Sequence, residues 1–241
     1  MGLERLDKII ASQCEYSRKE VRQLAREGQI SVNGKAVKDS AIHADADTDK
    51  ITVCGKELIF KKYVYIMMNK PKGVLSASSD KRGKTVIDLL PQELKRKNLF
   101  PAGRLDKDTT GFILITNNGD LAHRILSPSN HIKKTYEALL SKRVTSEDIE
   151  AFAQGIVLED GIKCRPAEVV PLEGSRVIIK ICEGRFHQIK RMAAVRGNEV
   201  IELKRLAIGS LELDSSLAQG ECRELTQAEV NMIESRDKLQ P

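Results

Sequence analysis

Leu3, Leu6, Ile9 and Ile10 fall on one helical face, so the chain is expected to open with a short amphipathic helix. Ser17-Arg18-Lys19-Glu20 announces a second helix, because a cap serine and a glutamate three residues later satisfy orphan amides reciprocally. Along it Arg18, Arg22 and Arg26 recur every four residues as a basic stripe, while Val21, Leu24 and Ala25 face the other way. Gly28 is a good terminator, and Ile30-Ser31-Val32 then alternates into Asn33-Gly34, a pair that tolerates positive φ and predicts a tight hairpin. Charges break the pattern at 58–62, which places a linker there and gives expected domains of 1–60 and 61–241. Beyond it, apolar spacing predicts strands over 63–68, 111–116, 134–140, 167–170 and 176–181, and helices over 146–153, 187–195 and 227–234. These do not alternate regularly as a parallel sheet requires. The expected class is α+β, with a largely antiparallel mixed sheet flanked by helices.

Composition narrows the picture. At 41% hydrophobic and 31% charged, the 241 residues argue against collagen, coiled coil and wholesale disorder. No run approaches the roughly 18 apolar residues of a spanning helix, and Met1-Gly2-Leu3-Glu4-Arg5 is charged helix rather than a secretory leader. The protein is therefore expected in the cytoplasm with no membrane partner. Five cysteines, an odd number with no Cys-x-x-Cys pair, indicate neither a disulfide framework nor a zinc site, and they are expected to be reduced and buried.

Charge is distributed unevenly. Residues 1–60 carry ten basic and ten acidic side chains, 61–134 carry fifteen and six, and 135–241 carry fifteen and eighteen. The whole excess of +9 in the middle stretch is where a phosphate-facing surface is sought first. Within it, Pro101-Ala102-Gly103-Arg104-Leu105-Asp106-Lys107-Asp108-Thr109-Thr110-Gly111 is a polar loop leading into the apolar run Phe112-Ile113-Leu114-Ile115. Such a loop is held at the rim of the core, where a carboxylate can be fixed and partly desolvated. Asp106 and Asp108 could form an acid/base pair of the glycosidase kind, but their separation cannot be read from spacing alone.

Two resemblances follow from these motifs. The paired helices, the basic stripe and Gly28-x-Ile30-x-Val32-Asn33-Gly34-Lys35 resemble the S4 (α-L-like) RNA-binding domain over residues 1–60. This implies that Arg18, Arg22 and Arg26 meet structured RNA. The acidic run Asp39, Asp45, Asp47 and Asp49 is expected on that domain's later strands, turned away from phosphate by repulsion. Gly103-Arg104-Leu105-Asp106, with Asp108-Thr109-Thr110-Gly111, resembles the catalytic motif of the pseudouridine synthases. Asn69-Lys70-Pro71-Lys72-Gly73, Lys134-Thr135-Tyr136 and Glu183-Gly184-Arg185-Phe186-His187-Gln188-Ile189-Lys190-Arg191-Met192 are similar to three further motifs of that family, in family order. An S4-like module ahead of them is the architecture of the branch acting on ribosomal RNA, and the chain is similar to its small-subunit (16S) members.

The resemblance implies an isomerisation without net redox change, so no cofactor and no metal are expected. It assigns the catalytic carboxylate to Asp106, a tyrosine stacking on the target base to Tyr136, and the cation paired with Asp106 to Lys190. A carboxylate beside an apolar strand is pushed toward its protonated form, and a neighbouring cation opposes that. Arg104 is implied to hold the extruded nucleotide, since a stacked uridine must be flipped out to react. Lys70, Lys72, Arg185, His187 and Arg191 are expected RNA contacts, with His187, Lys190 and Arg191 on one helical face. The expected partner of this monomer is ribosomal RNA, free or in an assembling small subunit. The rival readings are the same chemistry on large-subunit (23S) RNA and a non-catalytic ribosome-assembly factor. A chain ending at Pro241 without a long basic tail, and the Asp108–Gly111 and Ser127-Pro128 segments, favour the small-subunit branch.

Overall fold

The computed structural model describes residues 2–234. The chain forms two compact units, one of Met1–Val64 with Pro91–Leu99 and the other of Tyr65–Leu90 with Phe100–Pro241. The nine residues from Pro91 to Leu99 thus belong with the first unit, an excursion that no hydrophobic period announces. There Lys97 Nζ donates to the Tyr16 carbonyl at 2.6 Å. Residues 235–241, which fall in the expected 61–241 domain, lie outside the described residues.

The first unit runs β1 (Glu4–Arg5), α1 (Leu6–Gln13), α2 (Arg18–Arg26), β2 (Ile30–Val32), β3 (Lys35–Ala36), β4 (His43–Ala44), β5 (Ile51–Val53) and β6 (Lys56–Glu57). Leu6, Ile9 and Ile10 are fully buried against Val21, Ala25 and Ile30, whereas Leu3 precedes the helix and is exposed rather than part of its apolar face. Ser17 and Glu20 form the expected reciprocal cap of α2, the Glu20 amide donating to Ser17 Oγ at 3.2 Å and the Ser17 amide to Glu20 Oε2 at 2.6 Å. The order β3-β2-β5-β6 makes an antiparallel sheet whose β2–β3 turn is Asn33-Gly34, with φ of 51° and 78°. The acidic run stands in turns, not on strands as expected, because Asp49 is drawn into turn bonds from the Asn33 side chain and the Asp45 amide. Cys54 also departs from expectation, being exposed in the β5–β6 turn. None of the five cysteines is in a disulfide, and Cys164 alone is buried.

The second unit continues with β7 (Tyr65–Lys70), β8 (Phe100–Pro101), β9 (Thr110–Thr116), α3 (Gly119–Leu126), β10 (Lys134–Leu140), α4 (Ser146–Gln154), β11 (Glu168–Pro171), β12 (Arg176–Ile181), α5 (Gln188–Val195), β13 (Val200–Ile208), β14 (Leu211–Glu212), β15 (Cys222–Glu224) and α6 (Gln227–Glu234). Its nine-stranded sheet is ordered β11-β12-β10-β13-β9-β7-β15, with β14 on β13 and β8 on β9. Every pairing is antiparallel except β13 with β9. Phe112, Leu114 and Met67 are buried against Leu121, Ile125 and Ile233 of the helices.

Besides the short strands β8, β14 and β15, two longer elements of this unit escaped the sequence pattern. The nine-residue β13 carries Glu202, Lys204 and Arg205 in its middle, so no clean alternation shows. Arg205 nevertheless faces the interior, its Nε donating to the Phe112 carbonyl at 2.7 Å. Helix α3 starts from Asn117-Asn118-Gly119, which reads as a turn, yet Asn118 Oδ1 caps it by accepting from the Leu121 amide at 3.1 Å.

Gly111 ends the polar loop and lies in the parallel contact, opposite Arg205 and next to the Thr110–Lys204 pair. Its φ is +96°, and a Cβ there would lie 2.3 Å from the Arg205 carbonyl oxygen. Backbone strain and backbone clash therefore act together on any side chain at this position. Gly111→Ala is expected to lower unfolding stability by more than about 2 kcal/mol, read as a fall in the urea midpoint. An unchanged midpoint would contradict the close β9–β13 approach.

Candidate active site

Lys70, the last residue of β7, pairs with Gly111 and is completely buried. Its ammonium donates to the carbonyls of Pro71 (3.1 Å), Asp106 (3.1 Å), Lys107 (3.3 Å) and Thr109 (2.8 Å). Three of those carbonyls belong to the polar loop, so one cation inside the fold gathers the loop's backbone around itself. Burial pushes the Lys70 ammonium down to about 8, with Asp108 and Asp106 pulling it back up. Its expected role as an RNA contact is thereby corrected, since a fully buried ammonium meets no phosphate. Lys134, counted with the same basic stretch, is likewise buried and bonded to the Ile125 carbonyl at 3.0 Å.

Other bonds finish the loop. Ser76 Oγ donates to the Leu105 carbonyl at 2.8 Å and accepts from the Leu105 amide at 3.0 Å. The Gly73 amide donates to the Lys107 carbonyl at 2.7 Å, and the Thr109 amide closes a turn onto the Asp106 carbonyl at 3.1 Å. The residues on either side of Asp106 are thus held while its carboxylate projects from the turn. No side-chain pattern around Ser76 could have marked it, because its partner is a backbone group 29 positions away.

Asp106 is partly buried and faces α5. His187 Nε2 lies 3.5 Å from its Oδ1 and Lys190 Nζ 3.4 Å from its Oδ2. The hydrogen bonds of Lys190, however, go to Asp108, at 2.7 Å and 2.8 Å to its two oxygens. Lys190 lies within ion-pair distance of Asp106, the partner expected for it, but its ammonium stands between two carboxylates and bonds the second, because the turn presents residues two apart on one side. That bond, with smaller help from His187, holds the Asp108 carboxyl below its ordinary value.

His187 is not a helical residue but the N-cap of α5, in the left-handed region at φ 48° and ψ 33°. The expected common helical face therefore reduces to Lys190 and Arg191. Arg191 is ion-paired with Asp160 at 2.5 Å, which occupies the guanidinium expected to meet RNA. Arg104 is exposed, Lys72 is exposed beside Asp108, and Arg18, Arg22 and Arg26 are exposed along α2 of the first unit.

A cleft of about 70 Å³ opens here, lined by Arg104, Asp106, Thr109, Tyr136, Arg185 and Lys190 among others. Tyr136 forms its floor from β10 and is 7% exposed. Behind Arg185 stands Glu183, a buried carboxylate that no reading of charge alone would place there. It accepts from Arg185 Nε (3.1 Å), Gln188 Nε2 (2.8 Å) and the Arg165 amide (2.9 Å). Its position heading the third motif was the available signal.

A mixed, mostly antiparallel sheet bears this loop opposite α5 and is preceded in the chain by a small helix-and-hairpin unit, the arrangement of an RNA-modifying isomerase that carries an RNA-binding module. Residues 64–195 match the family described as RNA pseudouridylate synthase, residues 4–47 match the S4 domain, and the chain belongs to the RNA pseudouridylate synthase family. A solved pseudouridylate synthase structure is similar at a TM-score of 0.67 and 36% identity, covering 95% of this chain and 99% of that one. Among curated relatives, the uncharacterized RNA pseudouridine synthase YtzG of Bacillus subtilis is 47% identical over 95% of this chain and 98% of its own length. Ribosomal small subunit pseudouridine synthase A of Escherichia coli is 39% identical over 95% of this chain and 99% of its own. Among the described residues no helix is long and apolar enough to cross a membrane.

Lys70 and Lys134 both titrate at about 8 when folded, below the 10.5 of the free side chain. Between those pH values the unfolded chain binds more protons than the folded one, so both lysines make stability rise with pH across that window. The free-energy gap between wild type and Lys70→Met, from urea unfolding at pH 7 to 10, is expected to move in favour of wild type above pH 8. A gap independent of pH would contradict the buried ammonium.

Proposed function

We propose that the protein converts a specific uridine of small-subunit (16S) ribosomal RNA to pseudouridine, with Asp106 as the catalytic carboxylate. The observation that carries the reading is the setting of Asp106. Its loop is tied down by Lys70 and Ser76, and its carboxylate faces a cleft that also holds Tyr136, Arg104 and Lys190. The name carried by the relative from Escherichia coli supports the choice of small-subunit RNA.

In this reading the N1–C1′ bond of the uridine breaks, the uracil turns within the cleft, and C5 bonds to C1′. C5 gives up its hydrogen and N1 gains one, so composition and oxidation state are unchanged. Asp106 supplies the negative charge that meets C1′ or the ribose as the glycosidic bond opens. Tyr136 offers its ring to the turning base, and Arg104 holds the extruded nucleotide against restacking. Lys190 neutralises Asp108, so the turn does not present two adjacent unpaired carboxylates to the cleft. Arg185, His187 and Lys72 on the second unit, and Arg18, Arg22 and Arg26 on the first, contact RNA phosphate and fix its register without reading sequence. The protein acts as a cytoplasmic monomer, with the division of labour falling at about residue 60.

Asp106→Asn preserves shape and removes charge. It is expected to lower single-turnover pseudouridine formation at least about a thousandfold while RNA affinity stays within a few-fold. Mapping pseudouridine in ribosomal RNA from cells with and without the gene locates the site, and a difference confined to large-subunit RNA would overturn the 16S assignment. Replacing Arg18, Arg22 and Arg26 together by Gln in the full chain should flatten the slope of log affinity against log salt, by up to about 0.9 for each phosphate no longer neutralised. An unchanged slope would remove the stripe from the RNA interface.

A further inference from the structure

Phe186 is the most exposed aromatic of a chain that has only nine aromatic residues and no tryptophan; 71% of its surface is open to solvent. A lone exposed apolar side chain means little by itself. Three features set this one apart. Its ring is stacked on that of His187, centroids 3.8 Å apart and planes within 17° of parallel. Its chain neighbours Arg185 and His187 both line the cleft, and His187 Nε2 lies 3.5 Å from Asp106. Its backbone is also held on both sides. The Arg185 amide donates to Gln188 Oε1 at 3.0 Å, the Gln188 amide to the Arg185 carbonyl at 3.2 Å, and the Gln188 and Arg185 side chains are tied to buried Glu183.

The result is a flat apolar surface on a fixed turn, one ring deep, at the mouth of a cleft flanked by cations. Flipping a nucleotide out of a stack leaves the next base without a stacking partner on that side. An aromatic face accepts any such base, since every base has a π surface, and the turn has already met the ordering cost of presenting it. We infer that Phe186, backed by His187, is a stacking platform for the nucleobase adjacent to the target uridine. It holds the flanking RNA open while the target occupies the cleft over Tyr136. This inference rests on the proposed action on ribosomal uridine and adds a substrate-contacting residue that acts on binding, not on the bond changes.

The test uses the full-length protein, a ribosomal RNA transcript that the wild type modifies, and three variants. Phe186→Leu keeps an apolar side chain without a π face, whereas Phe186→Tyr and Phe186→Trp restore one. The RNA concentration giving half-maximal single-turnover rate is expected to rise about five- to a hundredfold in Phe186→Leu, matching the loss of one base–aromatic stack. The saturated rate should change less than about threefold, and both aromatic variants should return close to wild type. In parallel, 2-aminopurine placed on either side of the modified uridine should be quenched on binding wild type and Phe186→Tyr at one of the two positions, but not on binding Phe186→Leu. A wild type that modifies the transcript, with Phe186→Leu matching it in concentration dependence and quenching, overturns the platform and leaves the proposed function standing. Loss of saturated rate without loss of affinity also overturns it, by moving Phe186 into the chemistry. A wild type inactive on both ribosomal RNAs would overturn the proposed function and this inference together.

Discussion

A single buried cation organises the catalytic half of the molecule. Removing the Lys70 ammonium from water is costly, and the fold meets that cost by aiming backbone carbonyls at it, three of them from the loop that carries Asp106. The bonds act in both directions. The carbonyls keep the charge inside the protein, and the charge dictates the path of the loop from Asp106 to Thr109. Gly111 completes the device by letting β9 approach β13 closer than any side chain allows. The polar loop is therefore anchored to the interior through its backbone, with its carboxylates facing outward.

Electrostatics at the surface of that loop follow from the turn. It presents Asp106 and Asp108 to the same helix, where one ammonium serves both unequally. Two carboxylates sharing a site would raise each other's proton affinity. Direct bonds from Lys190 to Asp108 remove one of the two charges from the problem. Asp106 is left with partners at 3.4 Å and 3.5 Å, too far to bind its oxygens tightly. For a group proposed to meet a reacting sugar, a loosely held carboxylate on a rigid backbone is the useful combination.

The opposite wall of the cleft depends on a second buried charge of the other sign. Glu183 fixes Arg185, Gln188 and the Arg165 backbone, and so determines where α5 starts and how Phe186 and His187 are displayed. Lys70 behind one wall and Glu183 behind the other are both hidden, and both act by positioning backbone. Each is an ion whose desolvation is tolerable only when its bonds are complete, which makes the two walls rigid.

Much of the molecule is legible from local spacing. The strands at 134–140 and 176–181, the capping box at Ser17 and Glu20 and the hairpin at Asn33-Gly34 stand where the sequence puts them, because period-2 alternation, caps and turn residues act within a few positions. The motifs around Asp106, Tyr136 and Lys190 were equally visible as motifs, and they carried the family. What no local pattern contained was the use made of each charge. Lys70 reads as one more cation of a basic stretch, yet the β7–β9 register buries it; Lys190 reads as the partner of Asp106, yet the turn hands it Asp108. Strand β13 and the excursion at 91–99 were missed for the same reason, since Arg205 and Lys97 find backbone acceptors far along the chain. Residue type and spacing determined the elements, the domain types and the family of this protein. Only the tertiary structure decided which charges are solvated and which are spent on backbone, because that depends on desolvation and on partners brought together across dozens of residues.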